Sequence, residues 1–162
     1  MRRLSDTAMV AAHQGAFRMY PNGYKPREWQ VLSRNKAYRN RAHCGVFIHR
    51  CINLIFEDGL YADNEIDVDI DRADAIVIKN FTIIGESESF KQLKARQPRQ
   101  DVCSRRDNLK IGLDVHSWKR DFVGNAEVMD VRFENFHNVQ CSETHAIDMD
   151  PTVSAIRAGV AV

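Results

Sequence analysis

Residues 66–87 read IDVDIDRADAIVIKNFTIIGES. In the first half, Ile66, Val68 and Ile70 alternate with Asp67, Asp69 and Asp71. The second half carries Ile76, Ile78, Phe81 and Ile83 with far fewer charges. A period of two residues belongs to a strand, not a helix. The stretch therefore predicts a strand with its aspartates on an exposed side, followed by more buried strand.

The pattern recurs. GVFIHR (45–50), DVDIDR (67–72), GLDVHS (112–117) and AIDMDP (146–151) each place two apolar residues around one polar or outward residue. The apolar pairs are Val46/Ile48, Val68/Ile70, Leu113/Val115 and Ile147/Met149, at steps of 22, 45 and 34 residues. A second block repeats beside the first: LIFEDGLYADN (54–64), IVIKNFTIIGE (76–86) and AEVMDVRFENF (126–136). It aligns Phe56 with Ile78 and Val128, Asp58 with Asn80 and Asp130, and Tyr61 with Ile83 and Phe133. LSRNKAYRN (32–40) is an earlier half-copy, with Leu32 and Ala37 in the apolar places.

A repeat of 22 residues built from short strands and polar turns predicts an all-β, pectin-lyase-like parallel β-helix of about four coils. Each coil gives one strand to each parallel sheet, and stacking buries a core that no coil could bury alone. Asp58, Asn80 and Asp130 then form a turn column, where short polar side chains bond to nearby groups. An ankyrin or leucine-rich array would need helical periodicity in these segments. The irregular steps predict insertions at 89–110 and 117–125 within coils occupying 29–162. Residues 1–28 are expected to be irregular or to belong to a preceding coil. The ending IRAGVAV has no terminal cap, so a fragment of a longer solenoid is expected.

The chain has 162 residues and a net charge of +1, so its totals carry no nucleic-acid signal. No apolar run approaches the roughly 20 residues of a membrane span. The start MRRLSDTAMVAAHQGAF lacks the sustained apolar stretch of a signal peptide. Cys44, Cys51, Cys103 and Cys141 contain no C-x-x-C pair, which leaves buried thiols and disulfides both open.

With the apolar pairs facing inward, two columns face outward: Phe47, Asp69, Asp114, Asp148, and His49, Asp71, His116, Asp150. Neighbouring coils lie about 4.8 Å apart, so these carboxylates should raise one another's pKa unless a cation or basic group intervenes. Three readings follow. The face is a solvated sheet whose aspartates pair with Arg72, Lys119 or Arg120. Or it holds Ca²⁺, with Asp71, Asp148 and Asp150 as oxygen ligands. Or it performs acid/base cleavage of a polysaccharide, with Asp69, Asp114 and His116 as the catalytic set.

The 89–110 excursion carries Lys91, Lys94, Arg96, Arg99, Arg105, Arg106 and Lys110 against Asp101 and Asp107. It reads as a solvated loop or as a contact for an anionic polysaccharide, with Trp118 as a packing residue or a sugar platform. NFT at 80–82 is a glycosylation sequon in a secreted protein, with Asn80 otherwise a plain turn residue.

The order YKPREWQVLSRNKAYRN, GLYADNEIDVDI, AIVIKNFTIIGES, KIGLDVHSW, VRFENF resembles the later β-helix coils of the G8-domain family, over residues 24–151. That family includes the cell-migration-inducing and transmembrane cell-surface hyaluronidases and fibrocystin-like proteins. Its most specific parts here are KPRE (25–28), AYRN (37–40), YADN (61–64) and IIGES (83–87). The resemblance implies a right-handed β-helix, an extracellular or cell-surface setting, and binding or calcium-dependent depolymerisation of hyaluronan. It also implies that the chain is a late part of a larger protein. It assigns no catalytic residue to any position. A non-catalytic adhesion or receptor scaffold and a pectin-lyase-like enzyme on another uronic polymer are the alternatives.

Overall fold

The computed structural model describes residues 2–5, 8–10, 17–19, 29–39, 44–49, 52–71, 74–98, 101–104, 107–116, 125–149 and 154–162. It is mostly strand, and every strand pair among the described residues is parallel. The strands are β1 (Arg2–Ser5), β2 (Ala8–Val10), β3 (Phe17–Met19), β4 (Gln30–Ser33), β5 (Lys36–Tyr38), β6 (Cys44–His49) and β7 (Ile52–Glu57). They continue as β8 (Leu60–Ala62), β9 (Ile66–Asp71), β10 (Asp74–Ile84), β11 (Leu109–His116), β12 (Asn125–Glu134), β13 (Glu143–Met149) and β14 (Ser154–Ala158). Among the described residues an α-helix, α1 (Glu88–Arg96), stands between β10 and β11, and a short 3₁₀ turn covers Phe136–Asn138 after β12.

Successive strands do not pair with each other. β1, β4, β7, β10, β12 and β14 form one ladder, and β3, β6, β9, β11 and β13 a separate five-stranded sheet. The second half of β10 pairs with β8, which pairs with β5 and then β2. Parallel neighbours require a long return path, and here each return contributes strands to the other ladders.

The register is the one the repeat spacing aligns. Phe56 pairs with Leu32 and Ile78, and Ile78 with Val128. Tyr61 pairs with Ala37 and Ile83, and Ile83 with Phe133. In the five-stranded sheet, Val46, Val68, Leu113 and Ile147 stand side by side. These residues and their alternates build one continuous core, in which Ile48, Phe56, Val68, Ile78, Leu113 and Val128 are inaccessible to solvent. Phe56 stacks edge-on against Phe81 at 4.6 Å between ring centroids.

The polar turn column is also present. Asp58, Asn80 and Asp130 sit at φ 56°, 56° and 51°, in the left-handed region. Asn and Asp tolerate that conformation better than most residues with a side chain. The Asn80 amide donates to Asp58 Oδ1 at 2.6 Å, linking two levels of the column.

The 89–110 excursion is partly helical. Ser87 caps α1, its hydroxyl accepting from the Phe90 N–H, and Glu88 lies in the first turn with Lys94 and Arg96 in the last. Asp63 fixes the cap by accepting from both the Ser87 N–H and hydroxyl at 2.6 Å. Phe90 then buries against Val102 and Val139 as a small separate cluster. A disulfide joins Cys103 to Cys141 beside it. Cys44 is buried; Cys51 lies outside the described residues. Most of the 117–125 insertion also lies outside them.

Candidate functional site

The five-stranded sheet sets the site. β9 is its central strand, flanked by β6 and β11. Asp69 lies beside Phe47 on one side and Asp114 on the other, and Asp114 lies beside Asp148. Asp71 lies between His49 and His116. Alternation along each strand leaves Asp69, Asp71, Asp114 and His116 on the face opposite the apolar pairs.

Three of them converge. His116 Nε2 is 3.0 Å from Asp69 Oδ1 and 3.8 Å from Asp114 Oδ2. One ligating atom from each of Asp69, Asp114 and His116 lies within 4.8 Å of the others. Asp114 and His116 are half-buried, whereas Asp148 is exposed. Asp71 stands one register step away, beside His116; Asp150 lies outside the described residues.

The expected exposure of the acidic alternation is corrected. Asp69 is only 6% exposed and Asp71 only 3%. β9 is the central strand, with neighbours on both sides, which leaves its side chains less open to solvent than those of an edge strand. The aspartates are therefore held in a partly desolvated row.

That burial governs the charges. Desolvation pushes the Asp114 carboxyl up to about 7; His116 pulls it down, while Asp69, Asp148 and Asp71 add to the rise. Burial lowers the His116 imidazole, but its hydrogen bond to Asp69 and the charges of Asp114, Asp69 and Asp71 outweigh this and leave it raised. Near neutral pH the row thus holds a proton on or between Asp114 and His116. Such a group can donate a proton to a leaving oxygen beside a second carboxylate. The same two carboxylates and imidazole are also a donor set for a divalent ion.

The basic excursion divides. Lys91 pairs with Glu88 at 3.6 Å, and Lys94 lies 3.7 Å from Glu86 and 3.8 Å from Asp101. Lys91 and Lys94, with Glu86, Ala95, Asn138 and Gln140, line a shallow cleft of about 430 Å³. Arg96 is exposed. Arg99, Arg105, Arg106 and Trp118 lie outside the described residues. Lys110 is not part of a solvent-facing loop. It is fully buried, with its ammonium 2.6 Å from Asp67 Oδ2.

That second cluster escapes the sequence reading. Asp67 continues the Asp69 and Asp71 alternation, yet it is fully buried and bonded to Lys110 and Asn64. Asn64 Nδ2 donates to Asp67 Oδ1 at 2.8 Å and to the Ala37 carbonyl at 3.1 Å. Glycines mark the place in the sequence: Gly45 and Gly112 fall in the register gaps level with Asp67. A Cβ at Gly45 would lie 2.6 Å from the Asp67 carbonyl, and one at Gly112 would lie 2.7 Å from the Phe136 ring. No family model, curated protein or solved structure matches the chain.

Proposed function

We propose that the chain is a segment of a right-handed parallel β-helix from a cell-surface or extracellular protein, and that its acidic row depolymerises a uronate-containing polysaccharide of the hyaluronan type. The observation that carries this reading is the convergence of Asp69, Asp114 and His116, with Asp114 raised to about 7 by burial. A carboxyl that keeps its proton near neutrality can protonate the glycosidic oxygen as the bond breaks. Asp69, held in place by His116, is then the carboxylate that faces the developing positive charge on the sugar. The close approach of the two carboxyls is nearer the separation of about 5 Å used by retaining glycosidases than the wider inverting spacing.

An acidic row repels an anionic polymer. Protonation of Asp114 and His116 weakens that repulsion, and a Ca²⁺ ion held by Asp71 and Asp148, which leaves the proton on Asp114 in place, would remove more of it. Such an ion would hold the substrate carboxylate against the protein. Lys91 and Lys94 supply positive charge for the polymer at the cleft beside α1, and the exposed Arg96 adds charge at the end of the helix.

The scaffold alternative draws support from the His116–Asp69 bond, which by itself would account for two of the three residues as structural pairing. The test is the size of long-chain hyaluronan on a gel after incubation with the protein, with and without Ca²⁺. Ca²⁺-dependent shortening that falls by about 100-fold or more in Asp114→Asn is expected. Unchanged polymer with the folded protein leaves the scaffold reading, and shortening of polygalacturonate alone moves the substrate to another uronic polymer.

A further inference from the structure

The group that the proposed chemistry leaves unused is the buried Lys110–Asp67 pair, and its surroundings are those of a reaction site rather than of an ordinary ion pair. Both side chains are fully buried. Lys110 Nζ lies 2.6 Å from Asp67 Oδ2 and also donates to the Asn64 carbonyl. It stands 5.4 Å over the Phe136 ring, which closes one side. The other Asp67 oxygen accepts from Asn64 Nδ2 at 2.8 Å and more distantly from the Asn64 N–H at 3.4 Å. The amine, the carboxyl and two donors polarising that carboxyl are thus assembled out of contact with bulk solvent. The Tyr61 hydroxyl is buried as well and has no hydrogen-bond partner among the described residues.

We propose that Lys110 and Asp67 condense to an intramolecular isopeptide bond that welds β11 to β9. Lys110 Nζ, as the neutral amine, attacks Cγ of the protonated Asp67 carboxyl. The developing oxyanion on Oδ1 is stabilised by the two Asn64 donors. The C–Oδ2 bond breaks, the hydroxyl leaves with a proton from the attacking nitrogen, and one water is released. No oxidant, reductant or outside reagent is consumed.

Three physical features favour the step. Both side chains are fully buried, and burial penalises the charged form of each. Moving the proton from ammonium to carboxylate therefore gives the neutral, reactive pair at smaller cost than in water. Fixing the two groups in contact replaces a collision by an effective molarity that can reach about 10⁵ M or more. The product is a neutral amide, which removes two buried charges whose desolvation is costly.

The test is the intact mass of the folded, purified chain after reduction of its cysteines, followed by peptide mapping. The expected mass is one water below that of the full composition. Mapping should yield a branched peptide that joins the segments carrying Asp67 and Lys110. Lys110→Arg keeps a cation but cannot form this amide; it should restore the full mass and slow migration on a denaturing, reducing gel. A full-composition mass in the wild-type chain, with the Cys103–Cys141 disulfide present before reduction as the mark of folding, overturns the proposal. So does a mass one water lower whose Asp67 peptide is linear, since that would be a cyclic imide at the aspartate. The decisive reading comes from the unaltered sequence and does not depend on the variant folding.

Discussion

β9 and β11 carry two charged clusters that share a strand and a residue type but not an environment. At one end, Asp67 is sealed with Lys110, Asn64 and the Phe136 ring. A few residues on, Asp69 meets Asp114 and His116 in a row that still reaches solvent. Desolvation raises a carboxyl in both places. In the sealed cluster a cation and an amide answer it, so the pair is held fast. In the open row the answer is incomplete, and like charges add to the rise. The comparison teaches that a titratable group becomes available for exchange with solvent or substrate where its partners are too few, not merely where its pKa is moved.

The largest way to break the comparison is to remove the sealed cation. Lys110→Ala removes both the ion pair and the amide it is proposed to become, leaves Asp67 as a lone buried carboxyl, and should destabilise the fold by about 3–5 kcal/mol or more, read from denaturant unfolding. A loss below about 1 kcal/mol would mean that water or another group reaches Asp67, and the contrast between the clusters would collapse.

A smaller effect sharpens the other side. The folded Asp114 carboxyl titrates at about 7 against an ordinary 3.8. A folded value above the unfolded one means that stability is greatest below the unfolded value and is lost as pH rises through the folded one. His116, also raised, loses its contribution in the same direction as pH climbs past its folded value. Stability should therefore fall between about pH 4 and 7, by less than about 1.4 kcal/mol per pH unit for Asp114 because His116 titrates with it. Asp114→Asn should flatten that slope in thermal melts across the range. An unchanged slope would place the titration elsewhere.

The smallest change tests the turn column. Asn80→Ala removes the bond to Asp58 and puts a poorly suited residue at positive φ. A cost of about 1–2 kcal/mol is expected in the same denaturant assay. A neutral result would show that the column follows the strands rather than helping to space them.

The strand register was readable because it is periodic. Aligning Phe56 with Ile78 and Val128 required only the repeat, and the structure pairs them. The meeting of Asp69, Asp114 and His116 follows from the same register. What could not be read depends on contacts without a period. Asp67 sits in the same alternation as Asp69, and only Lys110, 43 residues away, decides that it is sealed. The alternation predicts an exposed row, yet β9 is a central strand with neighbours on both sides, and Asp69 and Asp71 are buried. The helical segment Glu88–Arg96 inside a basic stretch shows itself through Ser87 and Phe90, signals too short to stand out from a charged loop.

The Cys103–Cys141 bond has one further consequence. It spans 38 residues and encloses β11, β12 and the intervening 117–124 segment, with Asp114 and His116 inside the ring. A protease that cuts the backbone once between Lys110 and Cys141 produces a nick without separating the pieces. The nicked chain would still travel as one molecule until the disulfide is reduced.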